Sequence, residues 1–177
     1  MKSILPEYFC EEKQIQSQIG AFLKTYNIGK LLKQANFNKE KGVPCSQIFR
    51  FIFMLIFTGK NLYQYLLSGC CDHFAKDTIY RFLNSSHFNW RKFLFSLSST
   101  IIRDTVVPLT SADREKVLIF DDSLYSRNRS KAVELLAKLY DHVEHKYVRG
   151  FRMLTLGWSD GNTFLPLAFS LLSSAQE

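Results

Sequence analysis

VLIFDDS, residues 117–123, sets four consecutive apolar residues directly before two carboxylates and a hydroxyl. An unbroken run of Val, Leu, Ile and Phe predicts a strand covered on both faces, since a strand with one wet face would alternate. Two acids ending such a strand are costly to bury unless paired, hydrogen-bonded or bound to a cation. Mg²⁺ suits such a place: it takes a few carboxylate oxygens and keeps water positions for substrate phosphates. The plainer reading is an Asp that caps the turn after the strand. Neighbouring side chains of a strand point to opposite faces, so only one of Asp121 and Asp122 can aim at a given site.

Downstream, Arg127, Arg129 and Lys131 form a basic loop, either simply solvated or a phosphate clamp beside the acid pair. Val133, Leu136, Leu139, Tyr140 and Val143 recur at helical spacing, with Ser130 as a plausible N-cap. That predicted helix would end in Asp141-His142-Val143-Glu144-His145, where the two His are three apart. The order matches neither zinc-protease template and reads as a solvated helix end. Phe151–Trp158 and Thr163–Leu172 flank Ser159-Asp160-Gly161-Asn162, a strong hairpin signal because Gly accepts the positive φ of the turn. Pro166 places the second of these strands at an edge or a bulge. The expected order is strand, helix, hairpin.

Upstream, Pro108–Glu115 is polar and reads as a linker. Before it the chain reads helical. Ile15, Ile19, Phe22, Leu23 and Tyr26 share one helical face, and Asn36–Pro44 is a loop. Ile48–Leu67 is a long apolar segment broken at Thr58-Gly59, its first half expected in the core. Ser68–His73 is a break, and Lys76–Leu83 and Trp90–Arg103 are further helices. Residues 61–84 could form a helix-turn-helix. Asp77 or Thr78 would open the second helix, Ile79, Phe82 and Leu83 would face inward, and Lys76, Tyr80 and Arg81 would reach DNA. Many surface helices match that spacing, so an ordinary amphipathic helix is the competing reading.

The length of 177 residues corresponds to about one domain with a real core, and 46% apolar residues exclude bulk disorder. The net charge of +7 is unevenly placed. Residues 1–112 carry 14 Lys/Arg against 7 Asp/Glu, and residues 113–177 carry 9 of each. The organisation expected is therefore a basic helical region, 1–112, joined to a neutral segment, 113–177. The charge points to a polyanionic partner. Cys10, Cys45, Cys70 and Cys71 form no CxxC pair and read as reduced thiols. The N-terminus lacks the apolar core of a signal peptide, and no run approaches the ~20 residues that span a bilayer. The expectation is a cytoplasmic protein with no membrane partner. Without a P-loop, GxGxxG or GxSxG, nucleotide-cofactor and serine-hydrolase readings lose their usual support.

Residues 117–174, VLIFDDSLYSRNRSKAVELLAKLYDHVEHKYVRGFRMLTLGWSDGNTFLPLAFSLLSS, resemble bacterial cut-and-paste insertion-sequence transposases of the DDE superfamily, and DTIYRFLN at 77–84 resembles their N-terminal region. The resemblance implies an α+β fold: a helical DNA-binding region, then the first strands of an RNase H-like domain. Phe151–Leu172 would be its second and third strands. It implies Asp121 as first catalytic carboxylate and metal ligand, with Asp122 as fallback, and Mg²⁺ or Mn²⁺ as the cation. It implies double-stranded DNA at terminal inverted repeats as partner, contacted by Lys76, Thr78, Tyr80, Arg81, Arg127, Arg129 and Lys131. A homodimer, or a complex with full-length transposase, fits the same picture. The family's second Asp and its Glu have no match in residues 1–177, and Asp141, Glu144 and Asp160 lie in the wrong elements. The chain is thus expected to be a truncated, catalytically incomplete transposase, or a DNA-binding or inhibitory module derived from one.

Overall fold

A computed structural model describes residues 5–58, 61–67, 75–129 and 133–172. The chain packs as two compact units, residues 1–93 and 94–177.

The first unit is helical. Helix α1 (Leu5–Thr25) ends where Asn27 turns left-handed at φ 47°, so α2 (Ile28–Gln34) starts afresh instead of extending α1. Asn tolerates that conformation because its short amide side chain can hydrogen-bond locally. Helix α3 (Cys45–Thr58) follows the loop, then α4 (Leu62–Leu67), α5 (Lys76–Leu83) and the start of α6 (Trp90–Ile101), whose residues from Leu94 onward belong to the second unit. The core gathers Leu32, Ile48 and Ile79, all fully buried, around Phe37. The Phe37 ring lies 4.6 Å from those of Phe88 and Trp90 and within 6 Å of Phe82 and Phe93. Each such pair adds about 0.5–1.5 kcal/mol beyond its buried area. Only the first turns of α3 are core: Ile48 is sealed, whereas Ile56 and Phe57 are exposed.

The second unit corrects three expectations. The helix does not stop before Pro108. It passes through a π-helical turn, Ile102–Val106, and ends at Leu109 (α7, Val107–Leu109). A proline cannot donate to the helix ladder, and the wide turn adapts the backbone before it.

The helix expected over 133–143 is absent. Leu135 turns at φ 62°, and β2 (Ala137–Asp141) pairs antiparallel with β3 (Lys146–Ser159). Only Leu139 and Tyr140 of the five apolar residues fall in the strand, where Leu139 opposes the buried Val148; Val133 and Leu136 precede it and Val143 lies in the turn after it. His142 and His145 therefore occupy a hairpin loop, where Asp141 Oδ1 accepts from the Val143 and Glu144 amides.

Third, β1 (Val117–Ser126) is ten residues long and its apolar run is exposed, with Leu118 at 61% and Phe120 at 69%. The strand pairs only with β3 among the described residues, so its outer edge and much of its surface meet solvent. Strand β4 (Phe164–Leu172) completes an all-antiparallel sheet on the opposite edge of β3, the edge it shares with β2. The expected β3–β4 hairpin is present. The register shifts between Leu156 and Gly157, where Leu167 is the extra residue and Pro166 pairs with Gly157, so the proline stands at a bulge. The buried Asp160 fixes the turn: its carboxylate accepts from the Asn162 and Thr163 amides and from the Thr110 hydroxyl at 2.6 Å. The buried Ser98 hydroxyl on α6 donates to the Pro166 carbonyl, tying helix to sheet. The fold is thus α+β, helices followed by antiparallel sheet.

Candidate functional site

Asp121 and Asp122 lie in the middle of β1, because the strand runs on to Ser126. Asp121 opposes Thr155 and Asp122 opposes Leu154, so the two carboxylates leave opposite faces of the sheet. Their surroundings differ. The Arg152 guanidinium grips Asp122, with Nε donating to Oδ1 at 3.3 Å and a second bond to Oδ2. Arg152 sits diagonally across the ladder, the position from which a long side chain reaches its neighbour. The pair is part-exposed, so it stabilises the fold by less than about 1 kcal/mol, yet it occupies the Asp122 carboxylate. Asp121 accepts a hydrogen bond from the Ser123 hydroxyl two residues along the same face, and it has no ion pair among the described residues.

Asp121 with the Ser123 and Thr155 hydroxyls offers one anionic ligand. Two-metal phosphoryl transfer requires several carboxylates around cations roughly 3.5–4 Å apart. Among the described residues no group of three His, Cys, Asp or Glu could hold a cation. Asp160 is engaged in its turn, where the Thr110 hydroxyl and backbone amides lower its pKa to about 2, and Asp141 is held low by the Glu144 and Val143 amides. These residues do not fit a two-cation centre.

In α5, Ile79 and Phe82 are buried, which turns Lys76, Tyr80 and Arg81 outward; Thr78 is half-buried. The Lys76 ammonium lies 5.8 Å from the Tyr80 ring centroid. Two details differ from the sequence reading. Leu83 is 42% exposed instead of inward-facing, and Ala75, not Asp77 or Thr78, precedes the helix. Asp77 still lies in the first turn, where the helix dipole favours an acid. The turn of the expected helix-turn-helix, at 68–74, lies outside the described residues.

The length of β1 separates the basic loop from the acid pair. Arg127 is six positions past Asp121, about 20 Å along a strand, so the clamp is not beside the acids. Arg127 stacks over Tyr125 at 4.9 Å, and its amide donates to the Arg149 carbonyl. Arg129 is exposed; Lys131 lies outside the described residues. Sequence reading missed Arg152 and the exposed residues of the β2–β3 hairpin. Their signal is the alternation Lys138-Leu139-Tyr140 and Tyr147-Val148-Arg149, a strand period hidden beneath a helical one.

A family model described as DDE superfamily endonuclease matches residues 53–176. No curated protein and no solved structure matches the chain.

Proposed function

This chain belongs to the DDE superfamily endonuclease family, and on that premise we propose that it serves a cut-and-paste transposase of a bacterial insertion sequence. Its partner in this reading is double-stranded DNA at the terminal inverted repeats of the element. The observation that carries it is the reach of the match: residues 53–176 include both α5, with its outward cations, and the strand bearing Asp121. Lys76 and Arg81 supply phosphate contacts, Thr78 lies near the helix start, where base edges are read, and Tyr80 follows in the next turn.

Asp121 is the carboxylate assigned to the Mg²⁺ or Mn²⁺ chemistry general to the superfamily. Its support over Asp122 is the ion pair that holds Asp122 to Arg152. A second reading, a DNA-binding or inhibitory module, is favoured by the engagement of Asp141 and Asp160 in turns, which leaves Asp121 without partner acids on its face of β1.

The test is DNA binding by the chain with rising salt. Neutralised phosphates release counterions, so affinity for a duplex carrying element ends should fall steeply. Lys76→Ala with Arg81→Ala should weaken binding and flatten the log–log salt slope by about 1.8 for two lost phosphate contacts. Unchanged affinity in the double variant would remove α5 from the interface. Residues 1–177 alone should not nick that duplex with Mg²⁺. Nicking that Asp121→Ala abolishes would show that the chain does complete a catalytic site.

A further inference from the structure

Directly opposed residues of an antiparallel ladder share a face, and the register here runs without a shift from Thr155 to Tyr147. Asp121, Ser123 and Tyr125 therefore share one face with Thr155, Met153, Phe151, Arg149 and Tyr147 of β3. Arg127 joins them: its backbone N–H donates a hydrogen bond to the Arg149 carbonyl, and its guanidinium lies 4.9 Å from the Tyr125 ring centroid. On the far edge of β3, Lys138 opposes Arg149 and Tyr140 opposes Tyr147, extending the same face. From the position opposite Asp121 to Tyr147 this face is about 26 Å long at ~3.3 Å per residue.

Its chemistry is one-sided. Tyr125, Tyr140 and Tyr147 are exposed, the last at 65%, and stand among Arg127, Arg149 and Lys138. Arg127 lies over Tyr125, and Lys138 lies 4.9 Å from the Tyr147 ring centroid. The Tyr140 and Tyr147 rings are 5.2 Å apart, with the His142 ring 5.1 Å from Tyr140. Among the described residues these three cations have no acid partner, and Asp121 is the sole acid on the face. The cations of the opposite face are neutralised: Arg152 by Asp122, and Lys146 by Glu144. A cross-strand tyrosine pair supports a hairpin by itself. That role does not account for the three unpaired cations set among the rings on the same surface.

We propose that this face, from the β2–β3 hairpin through Arg149 and Arg127 toward Asp121, is a docking track for a single strand of DNA. Exposed rings stack on unpaired bases, whose faces a duplex hides, and the interleaved cations follow the phosphates. The track rests on the DNA reading above but uses residues separate from α5, and it carries a strand toward the candidate catalytic acid.

The test measures binding of the full chain to a labelled oligothymidylate and to a duplex. Tyr140→Val with Tyr147→Val should lower single-strand affinity by about fivefold or more per ring, with duplex affinity little changed. Tyr140→Phe with Tyr147→Phe should retain it. Lys138→Gln with Arg149→Gln, which keeps the ring pair, should reduce the single-strand salt slope by about 1.4. If the valine variant loses its hairpin by circular dichroism, the glutamine variant carries the test. Wild-type single-strand affinity and salt slope in that variant, with duplex binding still sensitive to Lys76→Ala and Arg81→Ala, would overturn the track and leave the DNA reading standing. No binding of either DNA by the wild-type chain would overturn both.

Discussion

Gly150 stands where three strands meet, opposite Ser126 on β1 and Ala137 on β2. A Cβ there would lie 2.4 Å from the Tyr125 carbonyl oxygen, 3.1 Å from its carbon and 3.2 Å from the Ser126 Cα. All three are backbone atoms, so Gly150→Ala is relieved only by prising β1 away from β3. Overpacking of this kind costs about 1–3 kcal/mol, and a broken ladder bond adds about 1. Alanine recovers about 0.5–1 kcal/mol through the lower entropy of the unfolded chain. The net expectation is a loss of roughly 1–3.5 kcal/mol, which at about 4–8 °C per kcal/mol for a domain of under 100 residues lowers Tm by about 4–28 °C. Gly157→Ala is the control. Its Cβ would lie 2.1 Å from Phe164 Cε2, a closer approach, but that ring is half-exposed and free to swing aside, so its cost stays below about 1 kcal/mol. Thermal unfolding by near-ultraviolet circular dichroism, with amide exchange along β3, reads both. Equal melting of the two variants, or a larger loss in Gly157→Ala, would refute the premise that the obstacle at Gly150 is immovable backbone.

Other consequences are directly testable. Asp160 titrates near 2 in the folded chain, below the ordinary carboxylate value of 3.8, so its stabilisation is full above about pH 4 and drains away as the pH falls toward 2. Urea midpoints from pH 5 to pH 2 should therefore fall less steeply in Asp160→Asn than in the wild-type chain, and parallel slopes would deny the linkage. The open edge and exposed run of β1 should promote self-association, which Leu118→Lys with Phe120→Lys should suppress in sedimentation. Arg152→Gln should change stability by less than about 1 kcal/mol in denaturant titration, since the pair it breaks is part-exposed.

Much of this architecture was legible in the sequence, and the exceptions share a cause. Helices whose apolar faces pack locally, such as α5 with Ile79 and Phe82, show their period directly. The β3–β4 turn was readable from Asp160-Gly161 because its geometry is set by four adjacent residues. Residues 133–143 were misread because their conformation is decided by a partner, Val148, beyond the window in which helical spacing was counted. The apolar run of β1 suggested burial on both faces, but composition records what a strand can bury, not what lies against it. Strand alternation alone sends the two acids to opposite faces, Asp121 opposite Thr155 and Asp122 opposite Leu154. Which acid stays unpaired depends on Arg152, thirty residues away in the chain and adjacent only once β1 and β3 align.

Strand β3 is the common partner of every other strand, and that arrangement orders assembly in time. Asp141 faces Lys146 and Ser159 faces Phe164 across short loops, whereas Val117 must find Ser159 and Ser126 must find Gly150 across tens of residues. Short loops close quickly and at low entropic cost, and hairpins form in about 1–10 μs. The two hairpins that share β3 are therefore expected to form first, as one three-strand nucleus, and β1 with Asp121 to dock last. In kinetic terms, Val148→Ala should mainly slow folding, while Ile119→Val should mainly speed unfolding. The strand that bears the candidate catalytic acid is then also the first to detach, so the acid's exposure to its setting follows the lifetime of a single docking step.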